Sequence, residues 1–301
     1  MILIHEAKML HTLHQSLSKS IPEAIKVYGS IFHINRGNPF NLEVLVDSWP
    51  DYQTVITRPQ KQEMMDDKDC YTNTYQIFSK DLQKLPEILG SESVINWRQS
   101  LTIQGVQKGF NEKIRDIAAS KSVYVDDVKI LQYITDDDVK SNTSNTNKLT
   151  RSHEATTSET VKFRRASNNF KLCLLDVSHA ELVNNTWKYG QNDRSLRFLR
   201  RCLQNFPGYC MMDPQRIPIS WVIMEHTSEL RAGYTLPEYR NRGFGKQVIS
   251  AFIQYLQKND MPFYFQVEEM NVNSHKLLKS CGLHVAKCGW HVWKCSPAKI
   301  L

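Results

Sequence analysis

Between positions 236 and 246 the sequence reads Leu-Pro-Glu-Tyr-Arg-Asn-Arg-Gly-Phe-Gly-Lys, with Arg-x-x-Gly-x-Gly at its centre. Gly243 and Gly245, on either side of Phe244, allow a backbone to approach an anion closely. The N–H groups of a turn that opens a helix point at that anion. Arg240, Arg242 and Lys246 add positive charge at the same place. The segment before it, ending in Leu236, reads as a strand, and 245–258 (GKQVISAFIQYLQK) reads as a helix. A strand, loop and helix with these parts can cradle a pyrophosphate. It is not a nucleotide P-loop, because Gly-x-x-x-x-Gly-Lys-Ser/Thr is missing, and Gly-x-Gly-x-x-Gly is not formed either. Twenty-eight residues after Gly243 comes Asn271-x-x-Ser274-x-x-Leu277-Leu278-x-x-x-Gly282-Leu283, which reads as a second helix.

The 301 residues that must position these groups are 41% hydrophobic and 23% charged, a globular composition with room for two domains. No apolar run approaches the ~20 residues needed to span a bilayer. Seven Cys, an odd and scattered set without Cys-x-x-Cys, predict neither a disulfide framework nor a zinc ribbon, and favour a reducing compartment. The first twenty residues do not read as a secretory signal. The net charge of +7 is uneven: residues 1–169 carry 21 basic and 21 acidic side chains, and residues 170–301 carry 17 and 10. A basic second half suits an anionic partner.

The segment 136–169 is rich in Ser, Thr and Asn and nearly free of large apolar residues, so it is expected to link two domains. Before it, 3–17 reads as an amphipathic helix, while 26–35 (KVYGSIFHIN), 42–47 and 54–57 read as strands. Helices are expected at 81–89, interrupted near Pro86, and at 109–120, with a closing strand at 128–134. This half shows no nucleophile–base pair, metal spacing or phosphate loop. After the linker, strands are expected at 171–177, 208–212, 217–225, 229–236, 262–268 and 288–295. Helices are expected at 179–187 with Ser178 as N-cap, at 194–206, at 245–258 and at 273–281. The order is that of an α/β sandwich with a mixed sheet.

The loop at 240–245 and the Asn271/Ser274 helix, with the strand and helix order around them, resemble the GNAT superfamily of acyl-coenzyme A N-acyltransferases. That resemblance implies that Leu236, Arg240, Arg242, Gly243, Phe244, Gly245 and Lys246 hold the coenzyme, and that Asn271 and Ser274 lie beside its pantetheine arm. A closer resemblance, to the glycine N-acyltransferases and their glycine N-acyltransferase-like relatives, rests on KVYGSIFHINRGNPFNLEVLVDSWPDY, YTNTYQIFSKD, INWRQSLTIQG and WHVWKC. It implies an N-terminal glycine-acyltransferase-type α/β domain over residues 1–135, degenerate and GNAT-like. It also implies a GNAT catalytic domain over 170–301, with acyl-CoA as co-substrate and no permanently bound cofactor. The implied acceptor is the amine of glycine or glutamine. The protein is expected to act as a monomer, without metal, nucleic acid or membrane span, in mitochondria, with cytoplasm or endoplasmic reticulum as the alternatives.

Aminolysis of a thioester needs a deprotonated amine, a held thioester and a stabilised oxyanion, but no covalent enzyme nucleophile. A carboxylate beside the cleft suffices as general base. Glu229 opens the strand that runs into the loop, and the resemblance places the base there. Burial against Leu230 and Tyr234 is expected to raise its pKa. His226 is expected in an exposed turn, and Glu268 or Glu269 as a second base or a surface charge. Cys281 and Cys288 read as structural. Many GNAT enzymes carry a Tyr general acid where this sequence has Leu278. Trp290 and Trp293 read as core rather than as walls of an acyl pocket. Competing readings are a GNAT acting on polyamine or protein amines, disfavoured by the basic charge, and a non-catalytic CoA-binding relative, disfavoured by the intact Gly243-x-Gly245 and Glu229. Nucleic-acid binding has charge but no motif behind it.

Overall fold

A computed structural model describes residues 1–135, 169–289 and 291–298. The expected linker lies outside them except for Asn169, as does Trp290. The first half runs β1 (Ile2–Ile4), α1 (Ala7–Ser18), α2 (Ile25–Ile34), β2 (Leu42–Val46), β3 (Thr54–Pro59), β4 (Thr74–Ser79), α3 (Leu85–Gly90), β5 (Leu101–Gly105), α4 (Phe110–Ser120) and β6 (Val123–Ile134). The second runs β7 (Lys171–Leu174), α5 (Ala180–Thr186), α6 (Asp193–Asn205), β8 (Gly208–Met212), β9 (Pro218–Met224), β10 (Glu229–Thr235), α7 (Phe244–Lys258), β11 (Tyr264–Glu268), α8 (Val272–Ser280), β12 (His284–Val285) and β13 (His291–Pro297).

The strands join in one mixed sheet of order β1-β2-β3-β4-β5-β13-β6-β11-β10-β9-β8-β7, with β12 beside β6. Among the described residues, only β4 with β5 and β10 with β11 run parallel. Strand β6 bridges the halves. Its residues 123–129 pair with β13, and 130–133 pair with β11. Strand β13 lies between β5 and β6, so Val292 faces both Gln104 and Val128. The last described strand of the second half thereby completes the sheet of the first.

Several expectations fail locally, and helix α3 begins only at Leu85 while strand β6 begins already at Val123. Residues 26–35 form helix α2, not a strand. Their β-branched and aromatic composition mimics a strand, and burial on nearly every side of the helix hides its period. Helix α2 is wedged against the turn before β10. A Cβ on Gly29 would sit 1.9 Å from the Thr227 carbonyl oxygen, so only glycine permits this approach. The first helix begins at Ala7 rather than residue 3, because Ile2–Ile4 pair with β2. Asp176, not Ser178, caps the short turn ahead of α5, accepting from the Ser178 N–H at 2.8 Å. Strands β4 and β5, short and buried throughout, were not legible as elements. The helix expected at 194–206 is present as α6, and its Phe198, Leu199 and Leu203 enter the core with Trp221 and Phe252. Helix α8 begins at Asn271, whose side chain accepts from the Ser274 N–H.

Candidate active site

Strands β10 and β11 are paired only at Glu229–Tyr264 and Leu230–Phe265. Beyond these, β10 bulges between Arg231 and Tyr234, with Ala232 at φ +51°, and the two strands part. A cleft of about 950 Å³ opens where they diverge. One wall is residues 231–235 of β10, whose edge facing β11 has lost its ladder partner there. The other is Gln266–Glu268 of β11. Crevices at the carboxyl ends of parallel strands are where α/β sheets bind ligands.

At the far end of β10 the chain turns into α7. Gly243 is the helix N-cap at φ +79°, and no side chain caps the exposed N–H groups of the first turn. A Cβ on Gly245 would lie 3.4 Å from both Thr235 Oγ1 and Leu277 Cδ2, so the glycine keeps the turn close to the strand and to α8. Arg240 Nε donates to the Thr235 carbonyl at 3.0 Å, which fixes its guanidinium near the Tyr234 ring at the cleft mouth. Helix N–H groups without a side-chain cap beside Arg240 and Lys246 are chemically suited to an anion.

The cleft gathers Glu229, Arg240, Gly243, Phe244, Gly245, Lys246, Asn271 and Ser274. It does not include Leu236 or Arg242. Leu236 donates its N–H to the Ile219 carbonyl and packs against the core, while Arg242 leans on the Tyr239 ring at 5.4 Å. Asn271 spends its carbonyl oxygen on the Ser274 N–H at 3.2 Å, which leaves the amide nitrogen as the group it can offer. Leu278 lines the cleft, so no hydroxyl stands at that position.

Glu229 is 4% exposed and sits within a buried network of charges. Lys26 reaches it from α2, with Nζ 3.3 Å from Oε2, and also touches Gln266 at 3.1 Å and Gln104 and Tyr264 at 3.4 Å. Arg231 Nη1 donates to Glu225 at 2.8 Å, while its Nε stands 3.6 Å from Glu229 Oε1. Two cations thus balance two carboxylates. Burial pulls the Lys26 ammonium below its usual range, against the pull of Glu229 and Glu225. Burial also resists ionisation of Glu225, but the Arg231 charge overrides it and brings the carboxyl down to about 2. Sequence reasoning missed Lys26, Arg231 and Glu225. The available signal was a lone lysine inside an otherwise apolar run at 25–34.

The lower-ranked candidates sort clearly. His226 is 2% exposed rather than in an exposed turn, stacked on Phe40 at 4.7 Å, with neither ring nitrogen hydrogen-bonded and Nδ1 3.7 Å from Glu225. Glu268 lines the cleft but is paired to Lys188 at 2.7 Å and takes the Tyr189 hydroxyl. Burial opposes its charge, yet these donors hold its carboxyl below the usual range. Glu269 is exposed and outside the cleft lining. Cys288 is buried, Cys281 partly so, and Trp293 is core, donating to Asn111 at 3.0 Å.

The buried histidines make acid stability predictable. Burial lowers His226 to about 4 and His33 to about 3, from 6.5. Each is neutral in the native state, so its contribution is complete above pH 6.5. Below that the unfolded chain binds the extra proton, and stability falls as pH drops toward 4 and 3. Each histidine then costs ~1.4 kcal/mol per pH unit. Urea midpoints should be level from pH 7 to 8 and fall steeply below 6.5. A flat profile from pH 7 to 5 would contradict the burial of these rings.

An open parallel strand pair, a bulged strand and an uncapped helix start give the GNAT-type fold expected from the sequence. A solved Drosophila protein shares the architecture over 97% of this chain and 98% of its own, at TM-score 0.73 and 14% identity. The chain belongs to the aralkyl acyl-CoA:amino acid N-acyltransferase family: the family's N-terminal pattern matches residues 1–207, and its C-terminal region matches 209–297. Human glycine N-acyltransferase-like protein 2 is 48% identical over 99% of both chains. Human glycine N-acyltransferase is 44% identical over 92% of this chain and 93% of its own, and bovine glycine N-phenylacetyltransferase 43% over 88% of each.

Proposed function

We propose that the protein transfers an acyl group from acyl-CoA to the amine of glycine, or of glutamine, giving an N-acyl amino acid and free CoA. The observation that carries this reading is one cleft with a buried carboxylate, Glu229, at the start of β10 and an anion-binding turn at its end. The coenzyme's pyrophosphate lies on the N–H groups at Gly243–Lys246 beside Arg240. The pantetheine arm runs between β10 and β11, where the unpaired strand edge supplies hydrogen-bond partners for its amides. The amide nitrogen of Asn271 lies alongside. The thioester then reaches toward Glu229. Glu229 removes a proton from the acceptor ammonium, the amine attacks the thioester carbon, and the C–N bond forms as the C–S bond breaks. The second proton of the new amide nitrogen passes to the departing thiolate or to water. A thiol of pKa ~8.5 leaves as thiolate, so Leu278 in place of an acid is no obstacle.

Kinship and cleft charge both support an amino acid as acceptor. Arg231, Arg240, Lys188, Lys246 and Lys276 line the cleft and repel polycations. Residence in mitochondria belongs to the same proposal and rests on the resemblance seen in the sequence. The first 35 residues, without a single Arg, lend it no support of their own.

A thiol-release assay with benzoyl-, phenylacetyl- and longer acyl-CoAs against glycine, glutamine and spermidine tests this reading. CoA release with an amino acid and not with the polyamine is expected, and release with spermidine alone would overturn it. Gly245→Glu, which forces a carboxylate between Thr235 and Leu277 at the anion site, should weaken acyl-CoA binding by roughly tenfold or more with the fold retained. Unchanged affinity in a folded variant would move the coenzyme elsewhere.

A further inference from the structure

Arg231 follows Glu229 by two positions on β10, before the bulge, so both side chains leave the same face of the strand. That face lies beneath the segment joining α5 to α6. The guanidinium carbon is 5.2 Å from the centre of the Trp187 ring and 5.9 Å from that of Phe198. Glu225 takes Nη1 and holds the group in place. Among the described residues, neither Nε nor Nη2 makes a hydrogen bond. The side chain lines the cleft and remains 22% exposed. A guanidinium with Nη2 uncommitted, its Nη1 held by Glu225 and its Nε buried against Glu229, therefore stands beside the carboxylate proposed as base.

The charge pattern of that pair, negative then positive at 3.6 Å, is the mirror of an α-amino acid. In such a molecule one carbon separates the nitrogen from the carboxylate, and nitrogen and oxygen lie about 3 Å apart. An amine placed on Glu229 brings its own carboxylate within reach of Arg231. The fork of a guanidinium matches a carboxylate in a way an ammonium does not. Resting on the acyltransfer reading above, we propose that Arg231 binds the α-carboxylate of the acceptor and so restricts the enzyme to α-amino acids. The segment Trp187–Tyr189 roofs this subsite, which sets the room left for the acceptor's side chain.

The test compares glycine with glycinamide, which keeps the amine and loses the carboxylate, using benzoyl-CoA as donor at one pH and rates expressed per total acceptor. The wild-type protein should favour glycine by roughly 10²-fold in kcat/KM, because the amide leaves the guanidinium without its anion. Arg231→Gln should raise the KM for glycine and lower turnover of glycinamide far less, so that the preference shrinks at least ~10-fold. Arg231→Lys, with charge but no fork, should fall between. Acyl-CoA affinity should hold in both variants. Equal losses for glycine and glycinamide would mark Arg231 as structural and overturn the proposal. So would a wild-type preference below about threefold, which needs no folded variant to measure. Wild-type protein that acylates no amino acid at all would instead remove the acyltransfer reading beneath it.

Discussion

Glu229→Gln is expected to lower turnover with glycine by roughly 10²–10⁴ while acyl-CoA binding survives. The substitution keeps size and an acceptor oxygen for Lys26, 3.3 Å away, so the network around it changes little in shape. What disappears is basicity. The acceptor then has to arrive already deprotonated, which few molecules are at neutral pH. Raising the pH supplies that free amine, and part of the lost rate should return. A residue that only positioned the acceptor would leave a deficit that persists at high pH. Wild-type turnover by the variant at pH 7 would clear Glu229 of the role. Glu268 would then be next to test, although its pairing with Lys188 and Tyr189 makes it a poorer base.

The second large effect is expected at Lys26. Lys26→Met should destabilise the protein by about 3 kcal/mol, because removing one partner of a buried pair leaves the other without compensation. Arg231, 3.6 Å from Glu229, offsets part of the loss, which sets the figure at the low end of the usual range. Thermal unfolding should come roughly 5–10 °C earlier. Adding Glu229→Gln to Lys26→Met should then cost less than the two single changes together, since the carboxylate left stranded by the first is gone. Strict additivity would show that the pair is not coupled, whatever its geometry. An unchanged melting temperature in Lys26→Met alone would show that the network bears no net stability.

The turn at 240–245 was legible in the sequence because its requirements are local. Gly243 supplies a left-handed backbone, Gly245 a close approach, and the flanking basic residues sit within one turn. Helix α6 was legible for the same reason: one face is buried and the other wet. Helix α2 was not, because it is enclosed on almost every side and its composition is that of a strand. The charged network was invisible for a different reason. Lys26 meets Glu229 across 203 positions of sequence, and no periodicity links residues that far apart. Arg231 looked like an ordinary strand residue, since Glu225 and the rings of Trp187 and Phe198 are what give it a setting. Leu236 and Arg242 belong to the loop by position, yet the turn directs them to the core and to Tyr239.

The placement of β13 between β5 and β6 bears on how the chain comes to be folded during synthesis. Strand β6 ends at Ile134 and β13 begins at His291, so translation at ~5–20 residues per second leaves on the order of ten seconds or more between them. Throughout that interval β5 and β6 have the partner strand they both require still missing, and each presents an unsatisfied edge to its surroundings. A nascent first half on the ribosome is accordingly a substrate for chaperones or for strand exchange with a neighbouring chain. Chains cut short anywhere before residue 291 never leave that condition, so nonsense and frameshift products should be cleared as aggregates or by proteolysis rather than persist as a folded N-terminal fragment.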